Sequence, residues 1–339
     1  MKRFFLSLLA VLASYNTFLF AQDGACDQTF TAAIKFDFSR PVEHKFSVSE
    51  SKAVYFSPGN LMYCPQEAIW YFAINQYDLI GSDNANISVS YAGKIDLFGW
   101  GTSGFTRTDI DEFDFNSKPY CFDTSRVSQT YNYYAYGPSY DQTNTVLGDG
   151  NIYGDETRKL YDWGQYNPIK KIAVVVNKYG REVQKDTTID FLGTWRTLTA
   201  EEWTYLMNNR SMPNESTTKL WAPANVTLNG TTYKGTLLFP DDFVFEKLGV
   251  QHFTLGNSSS TATVDQTMWE IMEDAGVVFL PYTGNRVDQT VSNVGTQGYY
   301  WSTSVTSAKQ AKAMNVQTGA IVNVERGYGY PVRLVRDAE

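Results

Sequence analysis

The stretch 195–210 (WRTLTAEEWTYLMNNR) constrains the fold more than any other part of the chain. It starts as an extended segment and runs directly into a short helix. Thr199 is a favourable N-cap and Glu202 lies three residues later, so the pair forms a capping box. The apolar residues that follow are spaced as one helical stripe, which comprises Trp203, Leu206 and Met207. The pattern therefore predicts an amphipathic helix over residues 200–209 that packs on a core.

Most of the remaining chain is patterned as short strands joined by turns. The strongest hairpin signal is Asn229-Gly230, which lies between two β-like runs. Lys178-Tyr179-Gly180 likewise predicts a hairpin insertion near 170–190. The other predicted strands lie at 45–48, 53–56, 68–74, 277–280, 298–304, 311–316, 320–324 and 331–337.

A second helix is predicted over residues 264–275. Thr263 would be its N-cap, and Gln266 occupies the capping-box position. Its apolar residues keep helical spacing and are expected in the core: Val264, Met268, Ile271, Met272 and Ala275. Together with the hairpins, this helix predicts the α+β class, with two short helices against a twisted, mostly antiparallel sheet and long loops.

The N-terminus carries an export signal. Lys2 and Arg3 precede an apolar run at 4–20, and cleavage is expected after Ala21. The run is interrupted at 14–16, which argues against a retained membrane anchor. A lipoprotein would use Cys26, but residues 23–25 lack the usual apolar start of a lipobox. We expect 1–21 to be a signal peptide, 22–44 a strand or tether, and 45–339 one domain of a periplasmic, outer-surface or extracellular protein.

The charge of the chain limits its classes of binding partner, and its cysteine count limits the number of disulfides. The chain has 28 basic and 36 acidic residues and a net charge of −8, without a basic tract, so nucleic acid is a poor partner. No second apolar stretch is long enough to span a bilayer. The three cysteines allow one disulfide at most, and Cys64 with Cys121 is the expected pair in an oxidising compartment.

Several motifs also occur in the order found in a known family. The string W-R-x-L-T-x-x-E-W-x-Y-L at 195–206 resembles a signature shared by formylglycine-generating-enzyme-like domains and the Fibrobacter-type major paralogous domain family. The glycine-rich loop 93–104 and the segment 162–167 resemble stretches that precede this helix in the latter. The matching later motifs are TGNR at 283–286, GYYWSTS at 298–304 and PVRLVRD at 331–337.

The resemblance implies a C-type-lectin-like fold across residues 45–337. It also implies that Trp195, Trp203 and Trp301 lie in the core. The motif arginines, Arg196, Arg286, Arg333 and Arg336, are expected to pair as scaffold with Asp337, Glu201 or backbone carbonyls. An acidic ligand for these arginines is the alternative.

Enzymatic chemistry finds little support in the sequence. Formylglycine-generating enzymes bind copper through two late cysteines, whereas this chain has none after Cys121. His44 and His252 are the only histidines, and neither lies in a nucleophile-elbow or zinc-site context. Carboxylates are plentiful, including Asp241 with Asp242 and a helical trio at 270, 273 and 274. Two such acids can support glycan hydrolysis, so a carboxylate-dependent glycan hydrolase is an alternative.

The acidic triplet Asp109, Asp111 and Asp114 is a candidate calcium site. Hard cations prefer clustered oxygen ligands. The triplet lacks the glycine and terminal glutamate of an EF-hand, and an acidic, solvated loop is the alternative. No other cofactor is expected.

A tyrosine-rich segment is the strongest candidate for ligand binding. Tyrosines alternate with short polar residues there, a composition typical of binding loops because rigid amphipathic rings give contact area at low entropic cost. The predicted contact residues are Tyr131, Asn132, Tyr133, Tyr134 and Tyr136, together with Trp100 and Trp163. A tyrosine-rich loop folded over the core is the alternative.

From these features we expect an exported, non-enzymatic module that recognises a glycan or a protein partner through loops between Gly93 and Tyr161. A structural or adhesion subunit of the surface is a third possibility, besides the hydrolase. A shallow groove lined by tyrosine and asparagine would favour glycan binding, and a wide exposed apolar patch would favour assembly.

Overall fold

The computed structural model describes residues 44–66, 68–86, 91–103, 159, 161–167, 169, 175–176, 182–184, 193–212, 215–245, 253–287, 289–307 and 310–338. These residues form a mixed α+β body that is mostly sheet, with a few short helices. The predicted α+β class is thereby confirmed. Among the described strand pairs, all but one are antiparallel.

The strands are numbered in chain order. They are β1 (Phe46–Ser47), β2 (Ala53–Phe56), β3 (Leu61–Cys64), β4 (Ile69–Phe72), β5 (Val175–Val176), β6 (Glu182–Gln184), β7 (Ser211–Met212), β8 (Glu215–Lys219), β9 (Trp221–Leu228), β10 (Thr231–Leu238), β11 (Ala262–Val264), β12 (Val278–Pro281), β13 (Asn285–Val287), β14 (Thr290–Ser292), β15 (Tyr299–Val305), β16 (Gln310–Asn315), β17 (Ala320–Glu325) and β18 (Val335–Asp337). The helices are a 3₁₀ helix (Gly81–Ala85), α1 (Trp163–Tyr166), α2 (Ala200–Thr204), which continues as a π-helix (Tyr205–Asn209), and α3 (Gln266–Asp274).

Three sheets of three or four strands make up most of the body. Their strand orders are β1-β2-β18, β11-β9-β10-β12 and β15-β16-β17, and the other strands pair two by two. The parallel pair is β11 with β9. In the β9–β10 hairpin, Asn229 and Gly230 have φ of 50° and 80°. Both values are those of a type I′ turn, so the predicted Asn-Gly hairpin is confirmed.

The first and last parts of the described chain are joined. Strand β18 pairs with β2, and the backbone of Arg196 exchanges hydrogen bonds of 2.8 Å with Val335 in both directions. Farther along, the Leu61 N–H donates to the carbonyl of Val332 at 2.9 Å. The stretch 195–210 and the terminal strand therefore belong to one packed body.

Helix α2 begins as its sequence predicts. The Thr199 side chain accepts from the Glu202 N–H, and the Glu202 carboxylate accepts from the Thr199 N–H, which confirms the capping box. Trp203, Leu206 and Met207 are buried. The second half differs from an α-helix, because the Arg210 N–H donates to the carbonyl of Tyr205, five residues earlier.

Helix α3 starts later than predicted. Its N-cap is Asp265, whose side chain accepts from the Met268 N–H at 2.8 Å, and not Thr263. Thr263 and Val264 instead belong to strand β11, since pairing with β9 uses their backbone groups. The buried face consists of Trp269 and Met272, whereas Ile271 is 38% exposed, so its predicted core position is wrong.

The interior divides into aromatic-rich clusters. One contains five tryptophans, Trp70, Trp100, Trp163, Trp195 and Trp301. A second lies under α2 and includes Trp203, and a third lies under α3 and includes Trp269. Burial of Trp195, Trp203 and Trp301 confirms the core position predicted for them. Burial of such large rings is a major part of the free energy of folding.

The predicted hairpin insertion is described only in part. Strands β5 and β6 pair antiparallel, as the glycine turn between them predicts, and the rest of 170–190 lies outside the described residues. The export signal and the tether at 22–44 also lie there, except for His44, and these stay predictions.

Candidate functional site

Helix α1 is fixed to the 195–197 segment by one buried carboxylate. Asp162 is fully buried; its Oδ1 accepts from the Gly164 N–H at 2.9 Å and its Oδ2 accepts from the Thr197 N–H at 2.8 Å. Gly164 lies so close to Trp195 that an added Cβ would be 2.5 Å from the Trp195 carbonyl oxygen. Residue types at 162 and 164 are therefore dictated by this contact.

A buried hydrogen bond joins two described residues that flank the stretch containing the tyrosine-rich segment. Asn167, directly after α1, donates from its side-chain amide to the carbonyl of Ser103 at 2.7 Å, and both residues are buried. Residues 104–158 lie outside the described part, so the predicted contact residues Tyr131, Asn132, Tyr133, Tyr134 and Tyr136 are not placed. The hydrogen bond between Ser103 and Asn167 therefore joins two described residues on either side of that stretch.

Trp100 and Trp163 are core residues. Each is 1% exposed, and the indole N–H of Trp100 donates to the carbonyl of Ser302 at 2.8 Å. The Arg326 guanidinium lies 4.6 Å from the Trp100 ring centroid. Burial lowers the pKa of Arg326 to about 9, which leaves it charged at neutral pH. Neither tryptophan presents a ring face to solvent, so their positions give no support to the predicted ligand contact.

The predicted calcium and disulfide residues are only partly described. Asp109, Asp111 and Asp114 lie outside the described residues. Within the described ranges, no group of three histidine, cysteine, aspartate or glutamate side chains is arranged to hold a metal. Cys64 is disulfide-bonded, and because Cys121 is not described, their pairing stays a prediction.

The acidic pair at 241 and 242 has structural partners. Asp241 accepts from the Arg210 guanidinium at 3.0 Å and from the backbone and hydroxyl of Ser47 at 2.7 Å each. Asp242 contacts the imidazole of His44 at 2.9 Å. These contacts tie the first strand to the loop after β10. The other histidine, His252, lies outside the described residues.

The motif arginines serve mainly as scaffold. Arg196 donates to both oxygens of Glu202 at 2.7 and 2.8 Å and to Asp337 at 2.6 Å. The predicted partner Asp337 is confirmed, whereas the acidic partner on the helix is Glu202 and not Glu201. The capping box requires Glu202 to point back along the chain, towards Arg196. Arg336 stacks 5.0 Å from the ring centroid of Tyr55.

Two further arginines are fully enclosed. Arg333 donates to the side chain of Gln76 at 3.1 Å, and Arg286 donates to the carbonyl of Asn84 at 3.2 Å. Near Arg286, the buried Asp96 accepts from the side chain of Asn84 at 2.7 Å. Burial raises the pKa of Asp96 to about 6, against the opposing effects of its hydrogen-bond donors and of Arg286. Because Asp96 is enclosed, its role is to anchor the 3₁₀ helix.

A surface groove that the sequence did not predict lies beside α2. It has a volume of about 290 Å³ and is lined by Ala200, Glu201, Thr204, Tyr205, Asn209, Lys312 and Ile321. Within the described structure, the side chains of Glu201, Tyr205, Asn209 and Lys312 make no hydrogen bond or ion pair. The buried stripe of α2 already implied a solvent face at 201, 204 and 205. The strands that complete the groove follow more than a hundred residues later.

Known proteins provide no further information about the site. No protein family matches the chain, and no curated protein or solved structure matches it. Across the ranges that the structure describes, helices are all too short or too polar to cross a membrane.

Proposed function

We propose that the chain is an exported, non-enzymatic recognition module at or outside the cell surface. It binds a glycan or a protein partner through the loops between Gly93 and Tyr161. The observation that carries this proposal is the buried hydrogen bond between Ser103 and Asn167, two core residues that flank the stretch containing the tyrosine-rich segment. Binding residues are commonly carried by loops that such a scaffold positions.

A C-type-lectin-like fold is part of the same proposal. Two observations support it, namely the pairing of β2 with β18 and the attachment of the 195–210 stretch to the terminal strand. These are the segments whose motifs resemble the major paralogous domain family. Fold likeness says little about the ligand, so the recognition role depends on the loops themselves.

The environments of Asp241 and Glu202 favour binding over hydrolysis. A glycan hydrolase needs two carboxylates that face each other across a cleft. Asp241 is instead engaged by Arg210 and Ser47, and Glu202 by Arg196. Among the described residues, the exposed large apolar side chains are Ile271 on α3 and Val244 and Val294 in two separate loops. They do not support a wide assembly surface.

The proposal is tested with the mature chain on a glycan array and as bait in a pull-down from surface and extracellular fractions. We expect a saturable ligand from at least one of the two screens. Each bound glycan is then incubated with the protein at equal concentration and analysed by mass spectrometry, and we expect it to be recovered intact. Absence of any ligand in both screens, or conversion of a glycan into shorter products, would overturn the proposal.

A further inference from the structure

The groove beside α2 is formed by one face of the helix and two strands of a neighbouring sheet. Helix α2 lies over β15, β16 and β17. Its position is fixed by the Ala200 N–H, which donates to the Ser304 hydroxyl at 3.0 Å, and by the Trp203 indole, which donates to the carbonyl of Trp301 at 3.2 Å. Lys312 on β16 and Ile321 on β17 close the side opposite the helix. Both walls therefore belong to packed elements.

The π-helical turn shapes the groove wall. A π-helix has a wider turn than an α-helix, and such turns are frequent at functional sites. Here it comprises residues 205–209, so the first and last of its residues, Tyr205 and Asn209, are both groove residues. Asn208, between them, is used structurally, since its side chain donates to the carbonyl of Gly319 at 2.7 Å and its carbonyl accepts from Lys219. The distorted turn is thus held from outside, while its two ends face the groove.

The lining combines an aromatic ring with hydrogen-bonding groups of both kinds. Tyr205 is half-buried and offers part of its ring, and Lys312 and Asn209 supply donors. Glu201 supplies acceptor oxygens, and the Thr204 hydroxyl, which donates to the carbonyl of Ala200 at 2.8 Å, keeps its acceptor capacity. A ligand rich in hydroxyl groups, which both donate and accept, matches this set.

We propose that this groove binds one uncharged sugar residue, with Tyr205 against the sugar ring and Glu201, Asn209 and Lys312 on its hydroxyls. The groove's volume of about 290 Å³ lies just below the range of about 300–1,000 Å³ found for ligand pockets, which suits a ligand as small as one sugar ring. None of the residues that line the groove belongs to the stretch between Gly93 and Tyr161.

Other ligand classes fit the lining less well. A phosphate, sulfate or uronic acid would be attracted by Lys312 and repelled by Glu201 in the same groove. An apolar peptide side chain could pack on Ala200, Ile321 and the Tyr205 ring, but it would leave four polar groups desolvated without hydrogen bonds. An uncharged saccharide avoids both costs.

The test uses the full mature chain and ligand-observed saturation-transfer NMR. The probes are glucose, galactose, mannose and N-acetylglucosamine, each as the monosaccharide and as its linear trisaccharide. We expect at least one probe to bind, Tyr205→Ala to weaken it by about tenfold and Tyr205→Phe to leave it nearly unchanged, because the ring is the main contact. Glu201→Gln and Asn209→Ala are each expected to weaken it by several-fold.

Tyr55→Ala is the matched control, because Tyr55 is also half-buried but lies outside the groove, between Lys45 and Arg336. Urea unfolding of every variant separates lost binding from lost folding. The proposal is overturned if no probe binds, if Tyr205→Ala binds as the wild type does, or if a random decapeptide pool binds at Tyr205 while saccharides do not. A ligand from the array or pull-down that is indifferent to Tyr205→Ala leaves the loop function standing without this groove. If a saccharide binds in the groove but neither screen yields a ligand for the loops, the groove proposal stands and the loop function does not.

Discussion

Replacing Asp162 by alanine tests how helix α1 is held against the 195–197 segment. The buried carboxylate accepts one hydrogen bond from Gly164 and one from Thr197, at 2.9 and 2.8 Å. Its removal leaves two buried N–H groups without these acceptors, and each costs about 1–3 kcal/mol. We therefore expect Asp162→Ala to lower the free energy of unfolding by about 2–6 kcal/mol, a large part of the roughly 5–15 kcal/mol typical of a domain.

A second aspartate provides the matched control. Asp265 also caps a helix, but it is exposed and accepts from a single N–H, that of Met268. Asp265→Ala should therefore cost only about 1 kcal/mol. Asp162→Asn keeps one acceptor oxygen and should fall between the two alanine variants.

The assay is urea unfolding followed by tryptophan fluorescence, with far-ultraviolet circular dichroism as a second probe. The midpoints of the wild type and the three variants are compared at equal slopes, since a change in slope would indicate a changed denatured state. Equal midpoints for Asp162→Ala and Asp265→Ala would refute the reasoning. It would mean that the buried carboxylate contributes no more than an exposed cap.

Three further predictions concern packing and pH. Gly164→Ala places a Cβ 2.5 Å from a carbonyl oxygen and should cost more in urea unfolding than Gly230→Ala, whose Cβ meets no atom within 4 Å and which carries only the strain of a positive φ, about 1–2 kcal/mol; equal costs would contradict the close contact. Met272→Ala should lower the free energy of unfolding by about 2–5 kcal/mol and Ile271→Ala by less than about 1 kcal/mol, because Met272 is buried and Ile271 is exposed. Calorimetry can check both values, and a larger loss for Ile271→Ala would return Ile271 to the buried face that the sequence predicts. Because the folded pKa of Asp96 is raised to about 6, its contribution to stability is fully present below about pH 4 and falls by about 3 kcal/mol as pH rises through 6. Urea midpoints of the wild type are compared at pH 4 and pH 7.5, and Asp96→Asn should remove the part of the difference that Asp96 causes. If the variant shows the same pH dependence as the wild type, the raised pKa of Asp96 is contradicted.

Local signals in the sequence were reliable where the relevant contacts are local. The capping box of α2 and the Asn229-Gly230 turn depend on atoms within a few residues, and both are observed. The start of α3 was missed because Val264 is held by β9, a strand that lies outside any local window. The π-helical turn was missed for a similar reason, because Lys219 and Gly319, which hydrogen-bond to Asn208 within the turn, lie outside the helix.

The candidate site was harder to predict from the sequence than the fold. A tryptophan among glycines is compatible with a binding surface and with a core, and only the packing of Trp100 against Arg326 and Ser302 decides between them. Tyr205 and Lys312 line the same groove, but the sequence around Tyr205 does not indicate that Lys312 lies opposite, and the sequence around Lys312 does not indicate Tyr205. The tyrosine-rich residues at 131–136 lie outside the described residues, so their role in binding stays a prediction.

The most direct test of the recognition function is to change Tyr131, Tyr133, Tyr134 and Tyr136 to serine together and measure the affinity for the ligand found by array or pull-down. Biolayer interferometry with Tyr55→Ser as the control gives the comparison. We expect at least a tenfold loss of affinity, about 1.4 kcal/mol, with an unchanged urea midpoint. An affinity that stays within about twofold of the wild type, in a folded variant, would contradict it.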